Sequence, residues 1–350
     1  MTPAGTRREY LDWLRGLAVL IMVEAHTLDS WTRVEERTRA AFGWAMVLGG
    51  FGAPVFLFLA GIAQALAAGS RVRKGHSDAE AAAMMRKRGW QIFGLAFLFR
   101  LQSMLISGGT LLSLLKVDIL NIMGVSMLAA AVLWGAGRSR GSRALLLAGA
   151  AVAVAMLTPI IRATSVLSPL PDAIEAYLRP FPGRTTFTLF PWGGFLLAGG
   201  AIGIWLDAAR DEWQERMANL GFAIVGIAIA VGGYSASFLP AMYADTNFWT
   251  SSPTFFFLRL GILILTIPLA YVWNLLPGRW SPLRELGLSS LFVYWIHVEM
   301  VYGVISTPLH KQLTFEQAAA AFAVFSLFLY GLVKVKERVV RRRRGTSSSR

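Results

Sequence analysis

The sequence predicts an all-α membrane protein, a polytopic bundle of about ten transmembrane helices. Three observations predict it. Hydrophobic residues make up 55% of the 350 and charged residues only 15%, with a mean hydropathy of +0.53, which leaves too little polar surface for a soluble domain. Apolar runs of about 20 residues, long enough to cross a hydrocarbon core, recur along the chain. The Lys and Arg between those runs alternate between many and few. Residues 1–338 therefore read as one membrane domain. Residues 339–350 read as a basic, Ser-rich, disordered tail.

The runs follow in order. The first spans 10–31. Arg7 and Arg8 ahead of it faintly resemble an export signal, but Asp12 and Arg15 interrupt the run that should follow, so it is taken as a retained span. The second, 43–68, carries Pro54 in GFGAPVFLFLAG, a kink that a membrane bundle absorbs. Gly108-Gly109 separates 89–108 from 117–136, and the turn from Gly135 to Gly141 leads into 143–162. The loop 163–185, with Pro169, Pro171, Pro180 and Pro182, is expected to be irregular. The run 186–206 holds Gly193-Gly194 and Gly199-Gly200, which allow close helix contact. The runs 217–238 and 253–275 follow; beyond Pro277-Gly278 come 284–305 and 315–334.

This map sorts the charges. One side receives Arg7, Arg8, the cluster from Arg71 to Arg88, Arg138, Arg140, Arg143, Arg210, Arg216, Arg279, Arg284 and the basic C-terminal segment. The other receives only Arg33, Arg37, Arg39, Lys116, Arg179, Arg184 and Lys311. Losing one span would scramble the alternation. An even number of spans is expected, in a plasma (inner) membrane with both termini cytoplasmic. The net charge of +14 lies in loops rather than on one face of a soluble fold. Nucleic acid is thereby excluded as a partner, and anionic membrane lipids are favoured. With no cysteine, disulfides, thiolate metal sites and a Cys nucleophile are excluded. There is no Walker motif, HExxH, G-x-S-x-G or metal-type carboxylate cluster, so no metal is expected.

Chemistry is sought among charges inside the runs, which normally face a cavity or a partner. These are Asp12, Arg15, Glu24, His26, Arg100, Asp118, Arg162, Arg259, His297 and Glu299. His26 lies about 27 Å along a helix from Arg8, and His297 about 20 Å from Arg284, at 1.5 Å per residue. Both imidazoles fall in the outer half of the bilayer, where a polar chamber is expected. A neutral imidazole there can take a proton from an attacking hydroxyl or amine, or act as nucleophile. The bland alternative is a buried His on a backbone carbonyl. Glu24 is off the His26 face, so an orienting acid has to come from another span, Asp118 being one option. Ser290, Tyr294 and His297 share one helix face. Polar glue between helices is the alternative there, and snorkelling to water is the alternative for Arg162 and Asp118. Asp12 and Arg15 are spaced to pair at the cytoplasmic end of the first run, either as a packing pair or as an anchor for an anionic donor.

The opening REYLDWLRGLAVLIMVEAH resembles the first span of the transmembrane acyltransferases. These include the acyltransferase-3 family and the heparan-α-glucosaminide N-acetyltransferase-like group. FGAPVFLFLAG, VDILNIMGVSMLAAAVL, TLFPWGGFLLAGGAIG and LGLSSLFVYWIHVEMVYG are closer to the heparan-type group, and the likeness covers most of the chain. In acyltransferase-3 proteins a His regarded as catalytic follows the motif's Arg by about three turns, as His26 follows Arg15. The heparan enzyme has an additional lumenal domain, not seen in this sequence, and its His lies in the loop after the first span. The corresponding loop, Thr32 to Phe42, has no His, so the role falls to His26 or His297.

The resemblance implies an acyl-CoA donor, with acetyl-CoA expected. The donor would sit near Asp12 and Arg15, with Arg71, Arg73 and Arg88 suited to its phosphates. His26 would activate the acceptor, a sugar or glycolipid, and Arg100 or Arg259 would stabilise the oxyanion. A transporter or flippase for an anionic solute or lipid-linked sugar is the competing reading. It predicts repeat symmetry and discontinuous helices, neither visible in the sequence. Acyl chain length and homo-oligomerisation are left open.

Overall fold

The structure, a computed structural model, describes residues 8–244, 246–276 and 281–347, with side chains as far as Arg342. Among them there are helices and isolated bridges but no strand. The helices are α1 (Glu9–Trp31), α2 (Ala40–Gly49), α3 (Gly52–Arg73), α4 (Asp78–Ser107), α5 (Ile119–Ala136), α6 (Arg140–Ala163), α7 (Asp172–Leu178), α8 (Leu189–Ala208), α9 (Glu212–Ala236), α10 (Pro253–Leu275), α11 (Pro282–Leu288), α12 (Ser290–Tyr302) and α13 (Phe315–Ser347). Eight described stretches are long and apolar enough to cross a membrane, α2 and α3 counting as one. The chain is an all-α, multi-pass membrane protein.

Several expected boundaries move for identifiable reasons. The run at 89–108 is a helix from Asp78, because Ser77 and Glu80 form a capping box that starts it inside the polar loop. The run at 43–68 is two helices, divided at Gly50-Phe51. The run at 284–305 is also divided: α11 ends at Leu288, and α12 begins at Ser290, with Ser289 between them. Loop 163–185 contains a short helix, α7, whose Glu175 pairs with Arg179. α13 continues through the basic segment as far as Ser347, while Arg7, Pro277, Gly278, Arg279 and Ser348 to Arg350 lie outside the described residues.

The chain forms two compact units, residues 54–271 and residues 8–53 with 272–350. In the first, α4 packs on α5 and α6 on α8. Gln64 of α3 donates to the backbone carbonyl of Met127 at 3.1 Å, so its buried amide N–H is satisfied across helices. The expected close contact of Gly199 is present, its Cα facing the Phe58 carbonyl of α3 with no room for a Cβ.

In the second unit α1 is central, touching α2, α11, α12 and α13. Its core contains Val19, Val23, Trp31, Val293, Val301 and Phe325. Gly16 and Gly287 let α1 and α11 touch backbone to backbone, against the carbonyls of Leu283 and Asp12. Arg39 ties the loop after α1 to the start of α13, reaching Glu36 and Glu316, each at 2.6 Å.

Candidate functional site

The packing of α12 on α1 brings the two sequence-predicted histidines together. His26 Nδ1 lies 3.0 Å from His297 Nε2, with the rings stacked at a centroid distance of 5.1 Å and 14° between planes. His297 is fully buried, and its Nδ1 is 2.9 Å from the Val293 carbonyl oxygen one turn back. A carbonyl only accepts, so His297 Nδ1 carries the proton, and in a neutral ring Nε2 is then an acceptor. His26 must donate to it from Nδ1, which leaves His26 Nε2 as a basic lone pair. A backbone carbonyl thus sets the tautomer of His26 through His297.

The surroundings hold His26 in place. The Tyr302 ring meets it edge-on at 5.4 Å, and the Tyr302 hydroxyl lies near the Asp29 carboxylate. Arg37 reaches the same carboxylate at 3.4 Å. On the other side Tyr294 packs edge-on against His297 at 5.7 Å, so two members of the expected polar stripe do meet. Asp29 and Tyr302 were not anticipated from the sequence. Asp29 had a readable signal, since i+3 from His26 is the same helix face.

A backbone splice fixes the register of α1 against the segment after α12. Lys311 N–H donates to the Ser30 carbonyl and Leu313 N–H to the Trp31 carbonyl, both at 3.0 Å. The Ser30 hydroxyl donates to the Val301 carbonyl at 3.0 Å and lies 3.2 Å from His310 Nδ1. His310 thereby braces the helix that carries His26.

At the other end of α1, Asp12 and Arg15 pair at 3.1 Å as their spacing predicted, with Asp12 buried. Arg284 of α11 pairs with Glu9 at 2.5 Å.

The remaining candidates belong to the 54–271 unit. Arg100 pairs with Asp118 at 2.9 Å. Asp118 also caps α5, accepting from Leu120 N–H at 3.0 Å, while the Asn121 amide oxygen accepts from Asp118 N–H at 3.1 Å. Asp118 is therefore committed to a cap and an ion pair, and the group that orients His26 is an imidazole rather than this acid. The Arg259 guanidinium lies 4.0 Å above the Phe255 ring. Arg162 donates to the Phe190 carbonyl at 3.4 Å. Arg88 is exposed on α4. Among the described residues no three His, Asp or Glu converge as metal ligands would.

Residues 7–243 match the family model described as heparan-alpha-glucosaminide N-acetyltransferase, catalytic. No curated protein matches the chain. The matched stretch contains Arg15, His26, Arg88 and Arg100, whereas Arg259 and His297 lie beyond it. The likeness seen in the ordered motifs and the span of this match lead to one conclusion: the chain belongs to the heparan-α-glucosaminide N-acetyltransferase catalytic family.

Proposed function

We propose that the protein is a membrane acyltransferase in which His26, positioned by His297, is the general base. It would move an acyl group, acetyl being the first to test, from cytoplasmic acyl-CoA to a hydroxyl or amine of a sugar or glycolipid on the opposite side. The observation that carries this reading is the asymmetric histidine pair, which leaves a lone pair on His26 Nε2. The acceptor's O–H or N–H proton passes to that nitrogen as its heteroatom attacks the thioester carbonyl. The C–S bond then breaks and the departing CoA sulfur takes up a proton. The family resemblance implies oxyanion stabilisation by Arg100 or Arg259. Arg100 pairs with Asp118 and Arg259 lies over the Phe255 ring, and each is tested by its own substitution. At the donor end Arg15, beside Asp12, is the candidate phosphate contact, and Arg88 is a second, tested separately.

The orientation rests on the charge alternation of the loops. Labelling of single cysteines introduced at Thr2 and Ser348 should occur only from the cytoplasmic side; labelling from outside at either end overturns it.

One observation favours the transporter reading. Two expected spans are discontinuous, at Gly50-Phe51 and at Ser289, as solute-binding helices often are. The deciding experiment incubates the purified protein with labelled acetyl-CoA and a panel of glycans. His26→Ala should lose about 10²–10⁴ of the transfer rate while CoA binding is retained. Uptake of a solute with no covalent product in the wild type would instead establish the transporter.

A further inference from the structure

We infer that the 54–271 unit carries a binding site for a phosphate group where the C-terminal ends of α3, α5 and α8 meet the start of α6. A cavity of about 160 Å³ there is lined by Arg73, Arg140, Arg143 and Arg210, with Asp207 and Trp134 in its wall. That volume is roughly five times a water molecule's share of liquid, about 30 Å³, and suits one tetrahedral anion.

Three of the four arginines are held by partners. Asp207 is 8% exposed and pairs with both Arg73 and Arg210, the latter at 3.8 Å. Arg143 pairs with Asp78 at 2.5 Å, donates to the Gly137 carbonyl at 3.0 Å and lies 4.7 Å above the Trp134 ring. Four guanidinium groups thus line one cavity, and one of them, Arg140, brings a positive charge with no ion pair among the described residues. Residues needed only to set topology have no reason to converge on a cavity. Guanidinium groups already fixed by partners lose little entropy on binding a second one, and their fork geometry matches phosphate oxygens.

The chemistry recognised is a phosphate, and two sources can present it at a membrane surface: an anionic lipid headgroup, which basic pockets between transmembrane helices bind, or a soluble nucleotide-like molecule such as CoA. The CoA source rests on the acyltransferase reading and the lipid source does not; binding is read without turnover, so failure of the site and failure of that reading stay distinguishable.

The test uses the full chain in neutral detergent, with thermal unfolding followed during titration. One arm compares phosphatidylglycerol with phosphatidylcholine, and the other compares CoA with dephospho-CoA, which lacks the 3′-phosphate. Saturable stabilisation is expected in one arm, and the responding arm names the source. Arg140→Gln should weaken it about tenfold, and the Arg140→Gln/Arg210→Gln double variant about a hundredfold. Arg216→Gln, which removes an exposed arginine of α9 paired with Glu212, should leave it unchanged. If the double variant fails to fold, Arg140→Gln alone carries the test, because Arg140 has no ion pair to lose. No stabilisation in either arm overturns the site. So does stabilisation unaffected by Arg140→Gln, or weakened equally by Arg216→Gln, since the four arginines are then only an internal ion network or a diffuse charge.

Discussion

The two units each hold a polar pair inside an apolar bundle, and the pairs are built differently. Arg100 and Asp118 compensate each other's charge, and Asp118 spends its remaining capacity on the α5 cap. His26 and His297 carry no compensating charge. They form a directional chain, Val293 carbonyl to His297 to His26, that ends on an unshared nitrogen lone pair. Charge complementarity closes a pair and makes it structural, whereas a directional chain of neutral donors and acceptors stays open at one end. By that criterion the histidines are the pair proposed to react and the Arg–Asp pair is a fastening.

The comparison breaks first on the histidines. If they act as one unit, His26→Ala/His297→Ala should cost no more transfer rate than His26→Ala alone, about 10²–10⁴-fold. His297→Ala alone should cost about tenfold, the value of the hydrogen bond that holds the tautomer, with CoA affinity unchanged in all three. Strictly multiplicative losses would show that His297 acts independently. The Arg–Asp pair should respond in stability. Arg100→Leu leaves Asp118 without its cation and should cost about 3–5 kcal/mol. Adding Asp118→Asn, which keeps the cap acceptor while removing the charge, should return most of that loss. Denaturation of the purified variants measures both, and a double variant as unstable as Arg100→Leu would mean that the pair is not the fastening described.

Much of this was legible in the sequence. Hydropathy runs located the membrane helices, and the embedded charges picked out His26, His297, Arg100 and Asp118. The Asp12–Arg15 pair and the Gly199 contact followed from spacing. What was not legible depends on the register between distant segments. Nothing in the sequence says that His26 and His297, separated by most of the chain, share a hydrogen bond, because that needs the Ser30–Lys311 and Trp31–Leu313 backbone splice. The break at Ser289 was equally hidden, since an uninterrupted apolar run reads the same whether its helix is continuous or divided. The early start of α4 was in plain view, in Ser77-x-x-Glu80, but was outweighed by the polarity of the loop.

The unit that holds the histidines is assembled from residues 8–53 and 272–350, which 218 intervening residues, 54–271, separate in sequence. During synthesis at about 5–20 residues per second, His26 enters the membrane roughly 15–50 s before His297 exists. Throughout that interval α1 carries an imidazole and several charges in an apolar setting, with its partner helices still unmade. A nascent chain stopped anywhere before α12 would therefore lack the histidine pair, and helpers that shield a polar helix in the bilayer would matter most for α1.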